Sequence, residues 1–518
     1  MKHKKVKRKI KKTRRSAQPP AQSPAQQSNP FSWKALGKKL MFCIGVLATV
    51  ATIVGVVFQL ADRNRGESIT YHNHSFIIGI IMAPVEETVT RTYHPHDAAF
   101  NAALSLYAIA DFEAAWQQME MSLQTIQERG RAYASVGLQE ARRAAFYEHL
   151  LDIHIMLTRI ALRLNNPQQA RVHAFTAFSV LEEGGIAVSP WVRANLHHGL
   201  GVAHFNLRQY PLALAEAHHA VAVLEGSGLS PFDSRDSVMA TALTLLGNSY
   251  QMQLFTGAAG MDPYEMFNRA RIHYEMALLN FVPARNRPAL ALEINQDIFM
   301  ARLSPATEGV IYVAPSVLLS PSALYDDLTG SEAAIISTAY ANLSQLYALF
   351  SGKMTPPEHE AVFFKAMSAI TLAEFALYLK ADIPTAMRGN LLGAYGNYFI
   401  AVTAALAATS HHLADHTDII LSAVEENALK HIHDAIHLAG ALNMRSSTSF
   451  SRVLFQAGQV LSLTQNPEAG LMLLLEAYVI MENASQAADV ELHVLRNAYY
   501  SLHGETGVSF EMWLEREP

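Results

Sequence analysis

The stretch "LHHGLGVAHFNLRQYPLALAEAHHA", residues 196–220, places five histidines in 25 positions. Histidine at that density raises the question of a metal site, and helical geometry answers it locally. His197 and His204 are seven residues apart, about 10 Å along a helix, too far to share one ion unaided. His198 and His219 point about 100° away from their histidine neighbours. Ligation from one helix wants histidines at i and i+4 on one face, and this stretch has none. What remains is a pattern of small and large residues in two blocks, with Tyr210 opening the second. That is the grammar of two packed helices.

The blocks read His197-x2-Leu200-Gly201-x2-His204, then Ala213-x3-Ala217-x2-Ala220. Small residues let paired helices approach, and large ones fill the space beside them. Related blocks follow along the chain. Leu246-Gly247-x2-Tyr250 precedes Ala270-x3-Tyr274-x2-Ala277. Leu343-Ser344-x2-Tyr347 and Leu392-Gly393 open later units, and Ala428-x3-Ile432-x2-Ala435 closes one. Gly458 comes before Gly470-x3-Leu474-x2-Ala477. Upstream, Ala115/Met119 and Ala170/Ala174/Ala177 take the second-helix form. The pattern resembles the tetratricopeptide repeat, whose paired helices read W-x2-L-G-x2-Y and then A-x3-F-x2-A. About seven degenerate units fit between residues 97 and 484, with a capping helix over 490–503. The departures are over-long spacers and a mostly missing closing proline. The expected fold is all-α, an α-solenoid of helix-turn-helix repeats behind one N-terminal transmembrane helix.

Composition agrees with a helical body. Half of the 518 residues are hydrophobic and 16% are charged, with helix formers dominant. The net charge of −5 hides a division. Residues 1–39 carry 13 of the 40 Lys and Arg, and no acidic residue precedes Asp62, which leaves 27 basic against 45 acidic residues beyond it. Such an acidic body is a poor partner for nucleic acid. Cys43 is the single cysteine, so the body holds no disulfide framework, cysteine-rich zinc site or cysteine nucleophile.

Leu40 to Leu60 runs 21 residues without a charge. At about 1.5 Å per residue it reaches roughly 31 Å, the thickness of a bilayer core. A cleaved signal peptide would need a basic region 39 residues long, and "VVFQLADRN" offers no small-x-small cleavage site. The basic tail puts the N-terminus in the cytoplasm, where it meets anionic lipid, and the body on the other side of the membrane. That side is the periplasm or exterior in a bacterium, and the intermembrane space in a mitochondrial inner-membrane protein.

The chain divides into a basic tail (1–39), a span (40–60), a linker (61–96), repeats (97–285), an irregular insertion (286–330) and further repeats with a cap (331–518). Two segments stand outside the repeat, "SFIIGIIMAP" at 75–84 and the insertion around Val310 to Val313. They read equally as short pairing strands or as apolar flaps.

In a solenoid of helix pairs the first helices line a concave surface that commonly binds peptides. Counting from the repeat signature, that face carries Arg159, Arg163, Asn195, Asn206, Asn248, Gln251, Gln345, Asn390, Asn397, Arg452 and Gln459. A row of amides grips a peptide backbone without reading its side chains, because each offers both donor and acceptor. The alternative is a solvated helix face. No phosphate loop, G-x-S-x-G or dinucleotide fingerprint occurs. The resemblance implies a scaffold or adaptor that assembles protein or peptide partners at the membrane, with no catalysis and no cofactor. A mitochondrial version would serve a protease or respiratory complex. The enzyme alternative is a metal-dependent hydrolase built on His412, His416, His433 and His437, and a third reading is a self-assembly module.

Overall fold

Helix boundaries fall where local chemistry sets them. Asn166 caps one helix, its side chain accepting from the Gln169 N–H at 3.1 Å, with Pro167 in the first turn where a missing N–H costs nothing. Ser189 and Pro190 open the next helix in the same way. The turns inside two successive pairs are copies of one another. Asn165 and Arg208 take left-handed φ values of 53° and 60°, and the following N–H groups, of Asn166 and Gln209, bond back to Ala161 and His204 carbonyls at 2.7 and 2.9 Å. A proline then starts each second helix, at Pro167 and Pro211.

The computed structural model describes residues 94, 96–109, 111–136, 140–228, 237–256, 262–281, 330–348, 356–378, 389–409, 417–442, 444–462 and 466–483. Among them are fourteen helices and no strand. In chain order these are α1 Ala98–Ala108, α2 Phe112–Val136, α3 Glu140–Arg163, α4 Pro167–Gly184, α5 Pro190–Asn206, α6 Tyr210–Gly226 and α7 Ser237–Thr256. They continue as α8 Pro263–Phe281, α9 Gly330–Ala348, α10 Pro356–Tyr378, α11 Gly389–Thr409, α12 Thr417–Ala441, α13 Thr448–Ser462 and α14 Pro467–Asn483.

Each helix packs on its neighbours in sequence. The odd-numbered helices from α3 to α13 also pack on the next odd-numbered helix along. Six of the seven pairs therefore stack first helix on first helix, the connectivity of a solenoid. The small residues quoted above make the seams: Ala170, Ala174 and Ala177 on α4, and Ala213, Ala217 and Ala220 on α6, are all wholly enclosed. The α7–α8 seam shows why the motif holds a glycine. A Cβ on Gly247 would stand 2.5 Å from Cε1 of Tyr274, so the ring lies directly on bare backbone.

The entrance of the array is fastened by a buried carboxylate. Asp97 caps α1 by accepting from the Phe100 N–H at 2.8 Å, accepts from Ser122 Oγ of α2 at 2.6 Å, and lies 3.1 Å from His149 Nε2 of α3. His94 stacks on His149 at 3.8 Å and reaches Asp152 at 2.9 Å.

The expected transmembrane segment 40–60 lies outside the described residues, as do the tail, the linker to residue 93 with its apolar stretch 75–84, the insertion 286–329 with its β-like stretch Val310 to Val313, and the capping helix over 490–503. Among the described residues no helix is long and apolar enough to cross a membrane.

Candidate functional site

The amide row expected on the first helices is there, on α5, α7, α9, α11 and α13, but its centre faces protein. Asn248 and Asn397 are 0% exposed, Gln251 likewise, and Gln345 8%. Neighbouring first helices use these side chains to hold one another. Asn342 Nδ2 of α9 donates to Asn248 Oδ1 of α7 at 2.9 Å, and Gln251 Nε2 donates to Gln345 Oε1 at 3.3 Å. Asn397 Nδ2 of α11 donates to Ser337 Oγ at 3.0 Å and Thr338 Oγ1 at 2.8 Å, both on α9. From α8, the Tyr274 hydroxyl lies 2.8 Å from Asn248 Oδ1 and 2.6 Å from Gln251 Oε1. It carries one proton, so it donates to one of them at a time. Burial holds its pKa well above the ordinary tyrosine value, which keeps that proton in place.

The expectation of an open, peptide-gripping row therefore gives way at these four positions. An amide with no exposed atom reaches no peptide, and its donor and acceptor join one repeat to the next. Sequence register places a residue on the first-helix face. It does not say how closely the next first helix stacks over that face.

The flanks of the row differ. Arg159 of α3 is also buried, its Nη1 3.9 Å from Met156 Sδ, and burial lowers its pKa against the opposing pull of Tyr107 and Asp152. Arg163, Asn206, Arg452 and Gln459 are half-buried. Asn195 is half-buried too and turns back on its own helix, donating to the Trp191 carbonyl at 3.2 Å. Asn390 lies in the first turn of α11, and its side chain is outside the described residues.

The histidines sort by helix face. His154 and His198 are buried, and His173 is half-buried beside His154, Nδ1 to Nδ1 at 3.0 Å, with the edge of Trp116 against its ring. Burial pushes all three down to about 4, so each is a neutral imidazole near pH 7. His204, in the place of a large core aromatic, is buried and lies 2.6 Å from Gln209 Oε1 in the turn. Of the hydrolase candidates, His433 and His437 both stand exposed on α12, and His433 is 3.9 Å from Asp434. His412 and His416 lie outside the described residues. The structure does assemble one group that within-helix spacing missed. His197 of α5 meets Glu216 and His219 of α6 across the pair. Its only sequence signal is the facing register of two helices, which spacing along either one does not display.

The outer faces carry a second regularity. Among the described residues, every exposed large hydrophobic except Ile109 lies on a second helix: Met121, Val172, Phe175, Leu212, Leu429, Met472 and Val479. Counted from the first small residue of the seam in each helix (Ala115, Ala170, Ala213, Gly470), all but Leu429 fall at −1, +2, +5, +6 or +9. Those offsets share an arc of roughly 120° on a helix turning about 100° per residue. Compared with known proteins, the chain matches no family model, and no curated protein matches its sequence.

Proposed function

We propose that this chain is a membrane-anchored scaffold of tetratricopeptide type that binds protein partners through apolar side chains on its second helices. Residues 40–60 hold it in a bilayer with the basic tail on the cytoplasmic side, and the helical array stands on the other side. The carrying observation is the outer stripe. Val172 and Met472, in pairs far apart in the chain, occupy the same +2 place and are about half exposed, at 50% and 49%. Apolar groups left open on one recurrent face are what a protein-binding surface offers. The half-buried Arg163 and Arg452 on the inner face add guanidinium groups that grip a partner's carboxylate.

The test is crosslinked capture from native membranes with the full chain. Wild type is compared with a Phe175→Ser/Leu212→Ser/Met472→Ser variant and with Arg163→Glu/Arg452→Glu. We expect specific proteins on wild type and roughly tenfold or lower recovery on the triple variant, at unchanged circular dichroism. Equal recovery on the triple variant with loss on the arginine pair returns binding to the inner face. Equal recovery on all three removes both surfaces. The anchor is checked in the same preparations by alkaline carbonate: wild type stays with the membrane pellet, and a chain beginning at residue 61 leaves it. Release of the wild type would overturn the anchor.

A further inference from the structure

We propose that His197, Glu216 and His219 form a zinc-class metal site that joins α5 to α6. The three come from facing helices, and one ligand atom from each lies within 4.8 Å of the others. Glu216 Oε2 sits between the two imidazoles, 2.7 Å from His197 Nδ1 and 4.0 Å from His219 Nδ1. The rings themselves are 5.2 Å apart at 64°. Phe178 of α4 packs 4.6 Å from the His197 ring and walls the inner side. The exposure runs outward in order, 17% for His197, 19% for Glu216 and 62% for His219. Two ligands are thus fixed in the seam, and the third stands at its mouth, where a metal enters and water completes the coordination.

The backbone is arranged to allow it. Gly201 lies one turn along α5 from His197, and a Cβ there would come within 3.3 Å of Glu216 Cβ and 3.4 Å of the Ala213 carbonyl. Without one, α6 approaches close enough for a glutamate to reach across to His197.

The donor set selects the ion. Two imidazole nitrogens and one carboxylate oxygen suit zinc and its neighbours, whereas calcium and magnesium want oxygen throughout. Tetrahedral zinc with ligands at about 2.0–2.2 Å needs donors roughly 3.4 Å from one another. The separations of 2.7 and 4.0 Å bracket that value, and a small swing of the Glu216 carboxylate away from His197 equalises them. Binding replaces the hydrogen bond between His197 and Glu216, and the imidazole proton then sits on Nε2. The metal then cross-links first helix to second and stabilises the folded array by mass action. This inference is independent of the partner-binding reading.

The experiment uses the full chain, stripped with a chelator and titrated with cobalt(II) at pH 7.5, then with zinc against a chromophoric competitor. Wild type is expected to take up one equivalent with the strong visible absorption of tetrahedral cobalt, and zinc should raise its melting temperature. His219→Ala removes an exposed ligand, so the metal-free protein should melt as wild type does. Its zinc affinity should drop roughly tenfold or more, with the cobalt bands lost. Glu216→Gln should do the same, and a His433→Ala/His437→Ala control should bind as wild type. A wild type without tetrahedral cobalt overturns the proposal. So does a His219→Ala variant that binds as tightly as wild type.

Discussion

Between pH 7 and pH 5 the folded array is expected to lose several kcal/mol of stability, well before its carboxylates titrate. The cause is buried neutral histidine. His154, His173 and His198 are held at about 4 chiefly by burial, against an ordinary value near 6.5 that they regain on unfolding. A folded-state pKa below the unfolded one means the unfolded chain binds more protons in the interval. Stability is therefore whole above pH 6.5 and falls as pH drops toward 4. A single group with that shift accounts for about 2 kcal/mol at pH 5. His198 offers the cleanest attribution, being 2% exposed with no partner for Nε2 among the described residues. His198→Leu should keep or slightly raise stability at pH 7.5, because it removes an unsatisfied buried nitrogen while holding volume. It should also flatten the slope of stability against pH by up to one proton. The measurement is the urea midpoint across pH 4.5–7.5 for both proteins. Equal slopes would mean that His198 protonates inside the fold without penalty, and the enclosed packing described for α5 would be wrong.

That acid sensitivity follows from a feature only half legible in the sequence. The repeat register was readable because small residues recur where helices touch. Ala213, Ala217 and Ala220 announce a seam before any neighbour is known, and all three are enclosed. The turns were readable for a similar reason, since "NNP" before α4 and "RQYP" before α6 combine a cap or left-handed position with proline. What register does not carry is depth. Asn248 and Gln459 both sit on first helices at comparable places, yet Asn248 is wholly enclosed and Gln459 half-buried. The difference is set by how neighbouring helices close over each face, α9 over α7 in the case of Asn248. The same blindness hid the His197, Glu216 and His219 group. One-helix spacing rules interrogate a single cylinder, and this group straddles two.

Depth also changes which substitutions diagnose binding and which diagnose folding. Asn248 and Asn397 read as groove contacts, but truncating either leaves buried partners on α9 without their bond. Lost partner capture in those variants would therefore report a loosened stack, so surface positions such as Phe175 and Leu212 are the informative ones.

The largest single-site effect is expected where the motif glycine meets its ring. Gly247→Ala inserts a methyl group 2.5–2.9 Å from three atoms of Tyr274, a side chain that is 0% exposed and has nowhere to retreat. Overpacking of this kind costs about 1–3 kcal/mol from strain alone. Here it also shifts the Tyr274 hydroxyl off Asn248 and Gln251; Asn248 Oδ1 keeps the Asn342 amide, but the buried Gln251 Oε1 loses its donor at about 1–3 kcal/mol. Together roughly 3–5 kcal/mol should be lost, enough to unfold the middle of the array at moderate urea. The coupling separates this account from a general intolerance of helix change. Ala is the better helix former, so Gly247→Ala would be stabilising by up to about 1 kcal/mol if nothing lay over it. With Tyr274→Leu already in place, the clash is removed and the hydroxyl is absent, so adding Gly247→Ala should cost little or become favourable. A double-mutant cycle by urea denaturation reads the difference as an interaction energy of about the whole 3–5 kcal/mol. Additive losses would show that the Gly247 backbone and the Tyr274 ring do not meet. The fastening of α7 to α9 would then have to be argued without the tyrosine.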